Sequence, residues 1–441
     1  MTSFDSSPTL TVWRTSLALA VVFVLLMTTG WTAIRPQAGL GGPLEVALAA
    51  WRNGRIGTHE LPDPEAPPGV IAAFFRGLRA PQREQLAAEH PLVVGNLAGA
   101  PVTLRYRANR HALGRALDAE RERVADTRLS AAGHQEALRR VHRFSSLIGD
   151  GRQILSFDPS GKGRVAEVFG DLDRAERVSV VVPGVDTNLL TFEKSARKYT
   201  APVGMAQSLY AAERAASPTT RTAVIAWADY TSPVGVGMDA ATGRLAADGA
   251  VRLVSLTSAL PGDSRVSLFC HSYGSVVCGV AARRLPARVS DVAVAGSPGM
   301  RAENAAALHT RARVWAMRDA DDWIADVPYL DVGGLGHGAD PVAPEFGARV
   351  LSASGAAGHA GYFEPGTESL ENFAEIGVGA YDSVSCSDGD PGATGDSDEN
   401  DENDHNDDSG AGSGGSDLSD SGGSRDADGA CRSGISGPST A

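Results

Sequence analysis

The segment Ser267–Val280, SLFCHSYGSVVCGV, carries the sharpest chemical signal in the 441 residues. An apolar run leads into Cys270-His271-Ser272-Tyr273-Gly274, and a second apolar run with helical spacing follows at once. A strand that turns this abruptly into a helix strains the backbone at the bend and lifts the side chain there clear of the sheet edge. The positive end of the helix then lies close to any negative charge that develops. Ser272 is therefore the candidate nucleophile. The usual G-x-S-x-G pattern puts glycine two residues before the serine, and this chain has Cys270 there, which is small enough to fit but crowds the turn.

Serine is a poor nucleophile until a base takes its proton, so a histidine and an orienting acid are required. In sites of this layout they follow the serine in the order acid, then histidine. Asp319, Asp321 and Asp322 stand at the end of the expected strand in VWAMRDADDWIADVP, and Asp322 is the favoured acid. His359, in the glycine-flanked loop GHAGYFEPGT before a last amphipathic helix, is the favoured base. His337 in GGLGHGADP is the alternative, and His405 is set aside with the polar tail that holds it. An oxyanion needs two backbone N–H donors. One is expected from Tyr273, and the other from the loop after VSVVVPGVDTN, where Pro183-Gly184 turns the chain and the Val185 or Asp186 amide follows. An ionised Asp186 side chain would oppose an oxyanion unless it pointed away. This chemistry calls for no metal and no organic cofactor, and GKG at 161–163 joins two short strands without the G-x-x-x-x-G-K-[ST] frame of a phosphate loop.

The elements that would hold these residues begin near Gly151. RQILSF and RVAEVF around DPSGKG read as a hairpin. Apolar β-branched runs then alternate with helical ones: VSVVV, RTAVIAWA, RVSLFC, VSDVAVA and RARVWAM, separated by VGMAQSLYAAERAA, GAVRLVSLTSAL and GSVVCGVAARRL. Continuous apolar strands with intervening helices predict an α/β fold, with a mostly parallel sheet covered on both faces and sites at the carboxyl ends of its strands. Residues 42–150 read as a helical N-terminal segment without a cluster of catalytic residue types, a covering element expected to cap the pocket. The catalytic domain is expected over 151–382.

Residues 15–34, TSLALAVVFVLLMTTGWTAI, are free of charge, long enough at helical rise to span about 30 Å, and flanked by Arg14, Arg35, Trp13 and Trp31. A single-pass N-terminal membrane anchor within a segment 1–41 is the favoured reading, and secretion after signal-peptide cleavage is the alternative. From 383 to 441 the chain is rich in Asp, Ser and Gly and predicts a disordered acidic tail. The formal net charge of −13 belongs to that end. From Asp382 onward lie 15 of the 53 acidic and two of the 40 basic residues, leaving 38 of each elsewhere. A neutral body without a basic stripe argues against nucleic-acid binding. Cys270 and Cys278 fall in apolar runs and read as buried thiols. Cys386 and Cys431 could pair under oxidising conditions.

Taken together, HPLVVGNLAGAPVTLRYRANR, VSVVVPGVDTNLLTF, FCHSYGSVVCGVAA, VAVAGSPG, VWAMRDADDWI, GLGHGADP, FGA and GHAGYFEPGTESLENFAEIG resemble a family of actinobacterial α/β-hydrolases designated as a domain of unknown function. The resemblance spans roughly residues 90–380. It implies the α/β-hydrolase fold, with Ser272, Asp322 and His359 at the family's triad-like positions. On this reading the chain is expected to be a serine hydrolase that cleaves an ester or related acyl bond of a small-molecule or lipid-like substrate. Acyl transfer to an alcohol would use the same residues, and a non-catalytic, membrane-associated binding or scaffolding protein on the same fold is the alternative.

Overall fold

The computed structural model describes residues 42–387 and Cys431. The expected anchor at 15–34 lies outside the described residues, as does the tail from 388 on apart from Cys431. Among the described residues no helix is long and apolar enough to cross a membrane.

Apolar side chains at three- and four-residue spacing make residues 43–147 mostly helical. The helices are α1 (Pro43–Arg52), α2 (Pro68–Gly77), α3 (Ala80–Glu89), α4 (Pro91–Asn96), α5 (Val102–Ala125) and α6 (Ala131–Leu147). Each of the first four carries a proline at its first or second position, where the missing N–H is no loss. A small hairpin of β1 (Arg55–Ile56) and β2 (His59–Glu60) interrupts them; two-residue strands leave no alternation to read in sequence.

Trp51, Ile71, Phe75, Leu86 and Leu104 form a core of this segment's own. Leu113, Leu117 and Phe144, on α5 and α6, instead join a core shared with the sheet. The segment covers the sheet's edge. Asn96 donates to the Phe157 carbonyl at 2.7 Å and accepts from the Phe157 N–H at 3.0 Å, while Asn109 donates to the Ile154 carbonyl at 2.9 Å. Two asparagine side chains thus occupy backbone groups that an edge strand would otherwise present to another chain. These helices, expected as a covering element, thus cover the β3 edge of the sheet.

The sheet has eight strands, β3 (Gln153–Asp158), β4 (Arg164–Gly170), β5 (Arg177–Val182), β6 (Thr222–Ala228), β7 (Arg265–His271), β8 (Val289–Ala295), β9 (Arg313–Met317) and a short β12 (Arg349–Val350). A separate two-residue hairpin, β10 (Asp331–Val332) and β11 (Leu335–Gly336), precedes the last. The spatial order is β12-β9-β8-β7-β5-β6-β4-β3. Pairing is parallel from β12 to β6 and antiparallel at β4 and β3, the hairpin expected at 153–170.

Inner strands buried on both faces explain the unbroken Val/Ile/Leu runs. Val180, Val182, Leu268 and Cys270 face one side, with residues of α9 (Arg244–Ala259) and α10 (Tyr273–Ala281). Val181 and Phe269 face the other, with α7 (Pro202–Ala216) and α11 (Glu368–Val378). A one-turn α8 (Met238–Ala241) precedes α9.

Strand β5 lies between β6 and β7 although both follow it in the chain, so the connections out of β5 and out of β6 diverge around it. Such a reversal opens a crevice at the strands' carboxyl ends, and here Val182 of β5 pairs with Cys270 of β7 at its rim.

Two expectations need correction. Cys270 and Cys278, read as buried thiols, form a disulfide, because α10 packs back against β7 and brings the Cα atoms within 6.6 Å. Residues 383–387, expected to open a disordered tail, are held against the fold. Cys386 bridges to Leu351, the Ser385 N–H donates to Asn372 Oδ1 at 2.6 Å, and Cys386 is disulfide-bonded to Cys431.

Candidate active site

Three loops at the carboxyl edge of the sheet meet at Ser272. The strand β7 ends at His271 and α10 begins at Tyr273, so Ser272 alone makes the turn, with φ 55° and ψ −128°. A non-glycine residue held there is strained, and its surroundings must hold it in place. The Ser272 N–H donates to the Ala295 carbonyl at 3.0 Å, while its own carbonyl accepts from Ser275 N–H at 2.9 Å. Close neighbours must lack side chains. A Cβ at 274 would stand 2.2 Å from the Val182 carbonyl oxygen, and one at 184 would stand 2.7 Å from Ser272 Cβ.

Asp322 follows β9, and His359 lies in the loop between β12 and α11. His359 Nε2 is 2.9 Å from Ser272 Oγ, and its Nδ1 is 2.8 and 3.0 Å from the two oxygens of Asp322. The Asp322 carboxylate also accepts from Tyr362 OH at 2.6 Å and from the Ile324 N–H at 2.9 Å. Burial opposes charge on this carboxylate, but the hydrogen bonds from His359, Tyr362 and the Ile324 N–H outweigh it and hold the group below the usual carboxylate range. A carboxylate held ionised in this way fixes Nδ1 as the protonated nitrogen and leaves Nε2 free to accept from the serine hydroxyl.

The other sequence candidates fall elsewhere. The His337 Nε2–H donates to the Ala240 carbonyl at 2.6 Å, and the ring packs edge-on against Tyr273, 5.7 Å between centroids. Burial pulls its pKa down, and its hydrogen bond is to backbone, not to Ser272. Asp321 is exposed. Asp319 latches the histidine loop, its Oδ1 accepting from the Gly358 N–H at 2.9 Å.

Of the expected oxyanion donors, Tyr273 begins α10, so its N–H has no acceptor within the helix. Its side chain turns away, donating to the Thr242 carbonyl at 2.9 Å. The Asp186 N–H is taken by the Pro233 carbonyl at 2.8 Å, which leaves Val185 as the second candidate beside Gly184. The worry over Asp186 charge is answered by its direction: Oδ1 accepts from the Gly235 N–H at 2.9 Å.

Sequence reasoning missed Tyr362 and His271. His271 Nε2–H donates to the His359 carbonyl at 2.5 Å and holds the loop that carries the imidazole. Burial, then the neighbouring His359, push the His271 pKa down to about 4, so it donates as a neutral ring. A histidine beside the serine and a tyrosine three residues past the base were the available signals, and neither has meaning until the loops are folded together. Among the described residues no cluster of side chains is suited to a metal ion.

A family model described as alpha/beta hydrolase matches residues 158–332, from the end of β3 to β10 and including both Ser272 and Asp322. The fold is that of an α/β-hydrolase. Similar proteins include an uncharacterized protein of Mycobacterium tuberculosis, 28% identical over 388 residues, covering 75% of this chain and 58% of the relative. Another, from Mycobacterium bovis, is 34% identical over 145 residues, 32% of this chain and 53% of the relative. The chain thus spans somewhat more than half the length of these relatives. Solved structures similar to it include a dienelactone hydrolase from Anabaena variabilis, with a TM-score of 0.34 at 16% identity, covering 53% of this chain and 97% of that one. A 2,6-dihydroxy-pseudo-oxynicotine hydrolase gives 0.31 at 10% identity, over 76% and 93%.

Proposed function

We propose that the protein is a serine hydrolase that cleaves an ester or related acyl bond through an acyl-enzyme on Ser272. The observation that carries this reading is the continuous hydrogen-bonded chain from Ser272 Oγ through both nitrogens of His359 to Asp322. It is supported by the strained turn that presents the hydroxyl at a helix N-terminus.

In the first half-reaction Oγ attacks the acyl carbon while His359 Nε2 takes the hydroxyl proton. The carbonyl electrons move onto oxygen, and the Tyr273 and Val185 N–H groups donate to that oxyanion. Collapse expels the alcohol, which receives the proton from Nε2, and leaves the acyl group on Ser272. A water then gives its proton to Nε2 and its oxygen to the acyl carbon; the acid departs, and the proton returns to Oγ. Asp322 holds the imidazole and offsets its charge throughout.

The membrane reading of residues 15–34 goes with this proposal, and the two disulfides support a site on the oxidising side of that membrane. The test is hydrolysis of 4-nitrophenyl butyrate by the wild type, Ser272→Ala and His359→Ala. Both variants should lose at least about a thousandfold in kcat. Equal turnover by all three would refute the serine mechanism and favour a binding protein on a hydrolase fold.

A further inference from the structure

Large apolar side chains scattered singly on a surface need no explanation, but a group of them around a reactive residue does. Val234 and Val236 are 61% and 74% exposed in the loop after β6, and Met238, which opens α8, is 51% exposed; Trp323, Val332 and Leu335 are 47%, 67% and 43% exposed between β9 and the end of the β10–β11 hairpin. These two loops belong to the site. The first is tied to the proposed oxyanion loop through Pro233 and Gly235, which bond Asp186. The second begins next to Asp322, and the Trp323 ring lies 4.7 Å from the His359 ring, centroid to centroid. The loops also join each other, through a bridge between Thr242 and Leu335 and through His337 on the Ala240 carbonyl. Two of the carboxylates on them are paired, Asp331 with Arg301 and Asp239 with Arg244, while Asp321 and Asp326 stand exposed on the second loop. Ser272 itself is buried. The two loops are thus a collar of exposed apolar side chains anchored to groups of a small polar centre.

We propose that this collar binds the hydrocarbon portion of the substrate, making the protein selective for lipophilic esters, with Trp323, Val236 and Val332 as the main specificity-determining residues. The proposal rests on the serine-hydrolase reading and adds the substrate class. The occupant is the substrate because both loops are continuous with the groups that would hold its carbonyl. A short polar ester would leave the collar in water, whereas each methylene laid against it is withdrawn from water. Full burial of a methylene would raise kcat/KM about fourfold, and an open collar should give about twofold.

The experiment uses the full chain and two monomeric substrate series, each kept below its critical micelle concentration. One is 4-nitrophenyl esters from acetate to octanoate, and the other is acetate esters of alcohols from ethanol to octanol. A rise in kcat/KM of about twofold per methylene in either series is expected. In the combined variant Trp323→Ala, Val236→Ser, Val332→Ser that slope should flatten, the slope being read across the variant's own series whatever its rate on acetate. Flat profiles in both series or an unchanged slope in the variant would overturn the proposal. A fluorophosphonate probe run in parallel separates the two failures. Labelling of wild type and variant with flat profiles sinks only the substrate class, whereas an unlabelled wild type sinks the serine mechanism beneath it.

Discussion

Tyr362 donates its hydroxyl to Asp322 Oδ2 at 2.6 Å, on the carboxylate whose other oxygen stands 2.8 Å from His359 Nδ1. The same phenol oxygen accepts from the Asp319 N–H at 3.0 Å, so one buried tyrosine ties the acid to the strand end that carries it. Burial, and then the bond to the carboxylate, push the phenol's pKa well above its usual value, so it stays a donor at every working pH. Tyr362→Phe removes one of the donors that keep Asp322 ionised and oriented. A hydrogen bond to a charged group contributes roughly 1.5–3 kcal/mol, and partial compensation by the remaining donors should leave a fall in kcat of about tenfold. Asp322→Asn should cost far more, about a thousandfold or greater, because the imidazole loses its orienting charge. Steady-state kinetics on the two variants check the ranking; a Tyr362→Phe enzyme as impaired as Asp322→Asn would contradict it.

His271 makes a signed prediction about pH. In the unfolded chain it takes up a proton near its ordinary value of 6.5, and in the fold only near about 4, because burial penalises the charged ring. Between those values the unfolded state binds more protons, so stability is full above about pH 6.5 and is lost as the pH falls toward 4. The loss attributable to this ring is on the order of 3 kcal/mol at the lower limit. His271→Gln keeps a side-chain donor for the His359 carbonyl and cannot ionise. Wild type minus variant, compared by thermal melting at pH 7 and pH 4.5, cancels the other titrating groups. The stability difference should move against the wild type at the lower pH, and a pH-independent difference would show that the ring is not held neutral.

The bend at Ser272 and the run of parallel strands could be read directly because their causes are local. Unbroken apolar β-branched runs, such as those of β5 and β7, belong to strands covered on both faces, and a small residue two past Ser272 is demanded by the turn itself. Pairing between distant segments was not readable. That His359 rather than His337 meets Ser272 depends on where the chain after β12 is carried. Its decisive marks, the Gly358 N–H on Asp319 and the His359 carbonyl on His271, are contacts across 39 and 88 positions. Cys270 and Cys278 sit in two apolar runs that each suggest a buried thiol, and only the return of α10 along β7 joins them. The edge-covering contacts of residues 43–147 are not legible for a similar reason: Asn96 and Asn109 look like ordinary polar positions on helices until β3 is beside them.

The Cys270–Cys278 disulfide closes a short loop around Ser272 itself. Chain-entropy reasoning for a loop of this length gives roughly 2–3 kcal/mol of stability. The double variant Cys270→Ala, Cys278→Ala should unfold at lower denaturant with an unchanged slope, and a reducing agent that reaches the buried bond should shift the wild type toward the same midpoint. Superimposable unfolding curves for the wild type and the variant under oxidising conditions would show that the bridge contributes nothing.

The central claim is that the Ser272 hydroxyl is an activated nucleophile, and covalent capture reads it most directly. The wild-type protein, incubated with a fluorophosphonate at neutral pH and digested, should carry the phosphonyl mass on the peptide containing Ser272. Labelling should be absent in Ser272→Ala and slowed at least about a hundredfold in His359→Ala. A wild type that takes up no label, or a label that maps to another residue and survives in Ser272→Ala, would contradict the account.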